Sequence, residues 1–341
     1  MAFILGIIIL SFAIHSLTIV PFINFLYRFR FYKRKSAISP SKKDAASSHI
    51  RSKSRTPEGG GLLILVVVSL LFALAFPLLH LFGIEITHSY PLKEEMNVLF
   101  FTFVTFGLLG LYDDVVGFLE LEKEEGYSGL KTGHKFAIQA VLGLVIGSLL
   151  YFNLGIDIIN IPFIGVITFG PWFILLATFL VVAFSNAVNI TDGMDGLAPG
   201  LLMISLFGFL ILSASILDIP LSLFIALWLG GLIAFLYFNV YPARIFMGDV
   251  GALSFGATLA VVGLLTGKIA ALFIFGLPFL VDGFSSLAQI ASIKLTGKKI
   301  FPIAPIHYWL LNKDWSEPKI VQRAWLMNII LVIFGLWLAL L

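Results

Sequence analysis

The chain has 341 residues, 59% of them hydrophobic and only 12% charged, with a formal charge of +3 and no cysteine. Charged residues make up about a quarter of an ordinary soluble domain, so the composition excludes one. Disulfides and thiolate metal sites are excluded with the cysteines, and the apolar runs are continuous rather than alternating, which excludes a membrane β-barrel.

Hydropathy predicts about ten transmembrane spans, evenly spread, so residues 1–341 form a single all-α polytopic membrane domain. The first span, 2–26, has neither a basic leading segment nor a small-residue cleavage site, which makes it a helix rather than a signal peptide. The loop 28–60 follows with ten Lys and Arg, an orientation signal suited to anionic headgroups. It ends in KSRTPEGGG (53–61), where Lys53 is a candidate phosphate contact and the glycines allow close backbone approach to a phosphate.

After a second span at 61–82, the third, 97–112, runs into LYDDVVGF with the adjacent carboxylates Asp113 and Asp114. Neighbouring helical residues point about 100° apart, so one of the pair faces a cavity as base or metal ligand while the other accepts hydrogen bonds from loop backbone. The stretch 114–134 reads as a solvated connection. Spans at 135–152 and 171–188 lead to NAVNITDGMDGLA (186–198). Asn189, Asp192 and Asp195 are spaced by three there, which aligns them on one face if the segment is helical, and such amides and carboxylates suit a nucleotide or a hydrated metal; Gly193 and Gly196 would loosen that helix. Spans at 197–215 and 220–238 precede IFMGDVGALSFG (245–256), in which Asp249 opens the span 250–265. A span at 269–292, a loop with APIHYW (304–309) and its single histidine His307, and a last span at 323–340 complete the chain.

With the N-terminus outside, the inner loops hold 20 of the 22 Lys and Arg, leaving only Lys93 and Lys268 outside. The count ignores the aspartate motifs, yet all three fall on the inner side. A carboxylate at the centre of a bilayer costs roughly 2.5–3.5 kcal/mol, so carboxylates ending apolar runs mark a site. Scattered aspartates without cysteine or clustered histidine fit Mg²⁺, which takes one or two carboxylates plus substrate phosphates and water.

Taken together, DD, NxxNxxDGxDGL and FMGDxG resemble the polyprenyl-phosphate N-acetylhexosamine-1-phosphate transferase superfamily, integral membrane enzymes of bacterial envelope synthesis. Within it, Leu287–Trp325 (LAQIASIKLTGKKIFPIAPIHYWLLNKDWSEPKIVQRAW) is similar to the phospho-N-acetylmuramoyl-pentapeptide transferase family at its APIH, W-x-EP and R-x-W positions, and KSRTPEGGG resembles that family's early motif.

The resemblance implies ten transmembrane helices with both termini outside, in the bacterial inner membrane, and an active site facing the cytoplasm. It implies transfer of phospho-MurNAc-pentapeptide from UDP to undecaprenyl phosphate, with Mg²⁺, giving lipid I and UMP. Its partners are then the UDP-linked sugar-peptide donor, undecaprenyl phosphate and the bilayer; a homodimer is left open and nucleic acid is not expected. Carried over by position, Asp249 and Asp192 hold Mg²⁺, Asp113 is the base on the lipid phosphate with Asp114 beside it, and His307 takes part in the reaction. Asn189, Asp192, Asp195 and Asn239 line the nucleotide region, Phe246 lies under the uracil, and Lys53 and Lys135 meet phosphates.

The sequence departs from the family at several places. Tyr308 and Trp309 stand where it has two more histidines, Leu311 where it has Glu, and Gly117 where it has Lys; Arg55, Glu58 and Gly59 also differ. The histidine change keeps a rival open, a relative using a UDP-N-acetylhexosamine such as UDP-GlcNAc. A non-catalytic protein or transporter on the same scaffold is the rival of another class. A transporter places its charges near the bilayer midplane, whereas these sit at one face.

Overall fold

The computed structural model describes residues 2–29, 31, 56–81, 83, 86–119 and 130–341. Lys53 and Arg55 lie outside the described residues. Among those described, nine helices are long and apolar enough to cross a membrane, ten if a bent pair is one span. The chain is an all-α polytopic membrane protein.

The helices are α1 (Ala2–Arg28), α2 (Gly60–Leu81), α3 (Leu92–Leu119), α4 (Thr132–Ser148), α5 (Trp172–Thr191) and α6 (Leu197–Ser215). They continue with α7 (Ile219–Asn239), α8 (Gly248–Leu265), α9 (Ile269–Phe275), α10 (Leu277–Thr296), α11 (Ile306–Leu311) and α12 (Glu317–Leu340). Two details differ from the hydropathy reading. The third helix does not stop at the acidic pair: Val115, Val116, Phe118 and Leu119 extend it, so Asp113 and Asp114 lie inside α3. The ninth span is broken, α9 and α10 meeting at 71°, because Pro278 brings no N–H to the ladder and Gly276 packs directly on Phe184. A short antiparallel hairpin, β1 (Ile158–Ile161) with β2 (Gly165–Thr168), fills the connection before α5.

α8 is the hub, enclosed by α2, α3 and α5 and buried along nearly its whole length. Lipid offers no hydrophobic drive between helices, so such packing rests on van der Waals fit and small residues. Gly61 of α2 meets Gly251 of α8 so closely that a side chain on either would strike the other's backbone or Met247. Gly110 of α3 does the same against Asp249 and Val250. Deeper in, Phe103, Phe224, Trp228 and Phe255 form an aromatic cluster with ring centroids 5.3–6.1 Å apart across four of their pairs.

Cross-helix contacts fix the directions. Ser254 donates to the Phe103 carbonyl at 2.6 Å while Gly110 lies on Asp249, so α3 and α8 run antiparallel. Ser185 donates to the Leu253 carbonyl at 3.1 Å and Phe184 lies on Gly256, which makes α5 antiparallel to α8. Asn186 bonds Gln139 at 2.7 Å while Gly147 packs on Ile174, so α4 and α5 are antiparallel. The C-terminal ends of α3, α5 and α7 therefore share one end of the bundle with the N-terminal ends of α2, α4, α8 and α12.

Candidate active site

At that end the two aspartates of α3 diverge as their helical spacing requires. Asp113 accepts from the Leu130 amide at 2.6 Å and from Lys135 Nζ at 2.7 Å. The same Nζ reaches Asp249 at 2.5 Å, so one ammonium bridges two carboxylates that are 136 residues apart in sequence but adjacent in space. All three groups are largely enclosed, with side chains 11–19% exposed. Asp114 instead turns to backbone: its carboxylate oxygens accept from the amides of Asp249 and Val250, each at 3.1 Å. It thereby caps the N-terminus of α8, where a negative charge is favoured by the unpaired amides and the helix dipole.

The segment after Pro57 seats the same helix. The amides of Gly59 and Gly60 donate to the Phe246 carbonyl and that of Gly61 to the Met247 carbonyl, while Phe246 N–H donates to Pro57. The sequence reading gave these glycines to a phosphate; the structure spends their amides on carbonyls and uses their lack of side chains to bring backbone against backbone. Gly248, at φ +77°, lies against Asp114 and Gly59, a conformation and a space that suit glycine.

The loop after α5 is held from three sides. Asp195 is buried; its amide donates to Glu317 at 2.6 Å and its carboxylate accepts from Ala243 at 2.9 Å. Asn239, 2% exposed, accepts from the Gly196 amide at 3.0 Å and donates to the Ile245 carbonyl at 2.8 Å. Asp195 and Asn239 are thus built into the walls, binding the 192–196 loop to the 240–247 loop. Asn189 and Asp192 are half-buried at the end of α5, and the half-buried Phe246 uses its backbone on the neighbouring segment.

The tail closes over this loop. His307 is 3% exposed, with Nδ1 2.8 Å from Asp282 and Nε2 turned toward Gly193, where a side chain would come within 2.6 Å of it. Tyr308 donates its hydroxyl to the Gly193 carbonyl and Trp325 its indole N–H to the Gly196 carbonyl, both at 3.1 Å. Asp282 therefore holds His307 in place beside this loop. Glu317 and Trp325, which hold the loop itself, were singled out only as matching motif positions.

Among the described residues no three Asp, Glu or His side chains gather into a metal cage. That is compatible with Mg²⁺, which seldom needs one. The convergence of Asp113 and Asp249 on a single positive charge shows hard oxygen donors placed to share a cation. The donor chemistry therefore fits Mg²⁺.

The model of glycosyl transferase family 4 matches residues 96–267, about half of the chain. The chain belongs to glycosyl transferase family 4. The match runs from α3 through α8 and so includes Asp113, Asp114, Lys135, Asn189, Asp192, Asp195, Asn239, Phe246 and Asp249. This family membership makes the protein a sugar-1-phosphate transferase acting on polyprenyl phosphate. His307, Glu317 and Trp325 lie beyond the matched range.

Proposed function

We propose that the protein is a Mg²⁺-dependent transferase that moves phospho-MurNAc-pentapeptide from UDP to undecaprenyl phosphate, releasing UMP and forming lipid I. On this reading it works at the cytoplasmic face of a bacterial inner membrane. The observation that carries the donor assignment is the seating of the tail. The segment that resembles the muramoyl-pentapeptide enzymes is the one whose Tyr308, Glu317 and Trp325 hold the 193–196 loop.

Phosphoryl transfer needs positioning and neutralisation of oxygen charge more than a strong nucleophile. Asp249 and Asp192 would hold Mg²⁺, which when bound would neutralise the donor diphosphate. Asp113 takes the role of base toward the acceptor phosphate, its charge oriented by the Leu130 amide and Lys135. Lys135 is placed to shift from its carboxylates onto a phosphate oxygen, and Asp114 keeps Asp249 at the head of α8. The half-buried Phe246 offers a face for the base to stack on. His307, fixed by Asp282, presents Nε2 toward the loop carrying Asp192.

Tyr308 also sustains a second reading. It replaces a family histidine and spends its hydroxyl on Gly193, so it brings no charge-assisted donor to a phosphate. That favours a simpler UDP-N-acetylhexosamine as donor. A donor panel with undecaprenyl phosphate in nanodiscs, read as UMP release, separates the two. Turnover of UDP-MurNAc-pentapeptide is expected; turnover of UDP-GlcNAc with none of the muramoyl donor would overturn the first reading. No UMP from any donor, in folded protein, would favour a non-catalytic scaffold.

A further inference from the structure

A second polar cluster lies at the opposite end of the helices that carry the site. Glu95, in the first turn of α3, stands 18 residues before Asp113, about 27 Å at 1.5 Å per residue. Asp218 is the N-cap of α7, whose other end carries Asn239. Tyr90 donates its hydroxyl at 3.1 Å to the carbonyl of Leu265, the last residue of α8.

Glu95 is 0% exposed and Asp218 1%. Their carboxyl groups lie within hydrogen-bonding range of one another. Asp218 Oδ1 accepts from the Leu221 amide at 3.1 Å, but Asp218 Oδ2 and both oxygens of Glu95 have no donor among the described residues. The groups whose charges bear on this cluster are its own members, Asp218 on Glu95 and both carboxyls on Tyr90. Glu94 next door is turned to Asn153 at 3.0 Å, and neither Lys93 nor Lys268 forms an ion pair with either carboxyl. The C-terminal carbonyls of α8 add negative potential.

Two adjacent buried carboxyls with no cation cannot both be ionised. A proton on one of them supplies the missing donor. We propose that Glu95 and Asp218 share a single proton, and that this carboxyl–carboxylate pair clamps the ends of α3 and α7 together at the end of the bundle remote from the catalytic aspartates. The loops around it are tied in turn: Ile219 N–H donates to the Thr87 carbonyl, and the Thr87 hydroxyl to the Leu217 carbonyl at 2.7 Å. Leu217, immediately before Asp218, is held at φ +56°, an uncommon conformation for leucine.

In an unfolded chain both carboxyls ionise near pH 4, so the folded protein carries the extra proton and loses stability as pH rises above that range. The limit for one proton is a tenfold change in the unfolding equilibrium per pH unit, until the pair releases it. The test is thermal unfolding of the full chain in detergent from pH 6 to pH 10, comparing wild type with Glu95→Gln. The carboxamide donates to Asp218 without titrating, so the variant is expected to equal wild type in UMP release at neutral pH, to be at least as stable there, and to lose the decline in stability with rising pH. Parallel pH profiles for the two proteins would overturn the proposal. If Glu95→Gln fails to fold, infrared spectroscopy with ¹³C-carboxyl-labelled Glu and Asp decides on wild type. A buried carboxylic-acid C=O band at neutral pH that vanishes at alkaline pH supports the pair, and its absence refutes it. Stabilisation of wild type, but not of Glu95→Gln, by added Na⁺ or Ca²⁺ at neutral pH would assign the charge to a metal ion instead and also overturn it.

Discussion

Asp113 and Asp114 are neighbours of one type, and the structure gives them separable consequences. Asp114 holds the head of α8 through two charge-assisted bonds to the amides of Asp249 and Val250. Asp114→Asn keeps one carbonyl oxygen and turns an NH₂ group toward the second amide. It should therefore lose about one such bond, roughly 1.5–3 kcal/mol, together with a favourable charge at a helix N-terminus, roughly 0.3–1 kcal/mol. At about 2–4 °C per kcal/mol for a chain somewhat smaller than this one, the melting temperature should fall by several degrees. Asp113→Asn retains an acceptor for the Leu130 amide and gives up half of an ammonium bridge that Asp249 still holds, so its melting temperature should move less. Activity should divide the other way. On the proposed mechanism Asp113→Asn removes the base and should cost at least about 10²-fold in UMP release, whereas Asp114→Asn should be impaired chiefly by displacement of Asp249 and recover partly at lower temperature. Both are measured on protein in nanodiscs, by melting and by turnover over a temperature series. A melting temperature unchanged in Asp114→Asn, with activity lost at all temperatures, would refute the capping argument and put Asp114 in the chemistry.

Asp249→Asn and Asp192→Asn should each cost at least about 10²-fold in turnover and raise the Mg²⁺ concentration needed for half-maximal rate; near-wild-type turnover in Asp249→Asn would remove it as a metal ligand. Lys135→Met leaves Asp113 and Asp249 facing each other without the ammonium, so Mg²⁺ should raise its melting temperature more than that of wild type. Gly61→Ala drives a methyl group into the Gly251 backbone and should prevent stable folding, while Gly133→Ala, with nothing within 4 Å, should be neutral or slightly stabilising, as size-exclusion profiles would show. Cysteine at Asn312 should be labelled only from the cytoplasmic side and cysteine at Ile164, in the hairpin turn, only from the opposite side; labelling of both from one side would overturn the orientation.

The spans were legible because long apolar runs have few alternative fates in a membrane protein. The break in the ninth was less so: a hydropathy window averages over Gly276 and Pro278, although a proline beside a glycine is itself a breaking signal. Asp113, Asp114 and Asp249 stood out because carboxylates are rare in such sequence. That one of the adjacent pair accepts backbone hydrogen bonds was legible too; that it is Asp114, and that it caps α8, was not, since the amide lies 135 residues away. The glycines at 59–61 were misassigned for a physical reason: close approach to a phosphate and close approach to another backbone ask for the same residue. Asp282 could be placed in a span but not beside His307, because that pairing needs the bend at Gly276 and the return of the 297–305 loop.

The position of the site at the head of α8 follows from what a membrane interior allows. A buried helix must satisfy its first amides, and lipid supplies no water to do so. Here Asp114 takes two of them and the 57–61 segment pairs with the residues just before the helix, so the head of α8 is fixed by neighbours on α2 and α3. Asp249 is then carried on a rigid element, with the positive end of the helix dipole beneath it and an ammonium in front. That environment favours negative charge at the head of α8 and would draw phosphates toward the same point, which is the electrostatic preparation that transfer of a phosphorylated sugar to a lipid phosphate requires. The same three helices, α3, α7 and α8, end at their far side in the Glu95–Asp218–Tyr90 cluster. A stiff α8 connects the two ends, so a clamp there that keeps the helices in register would also keep Asp113 and Asp249 at the separation that one cation can bridge.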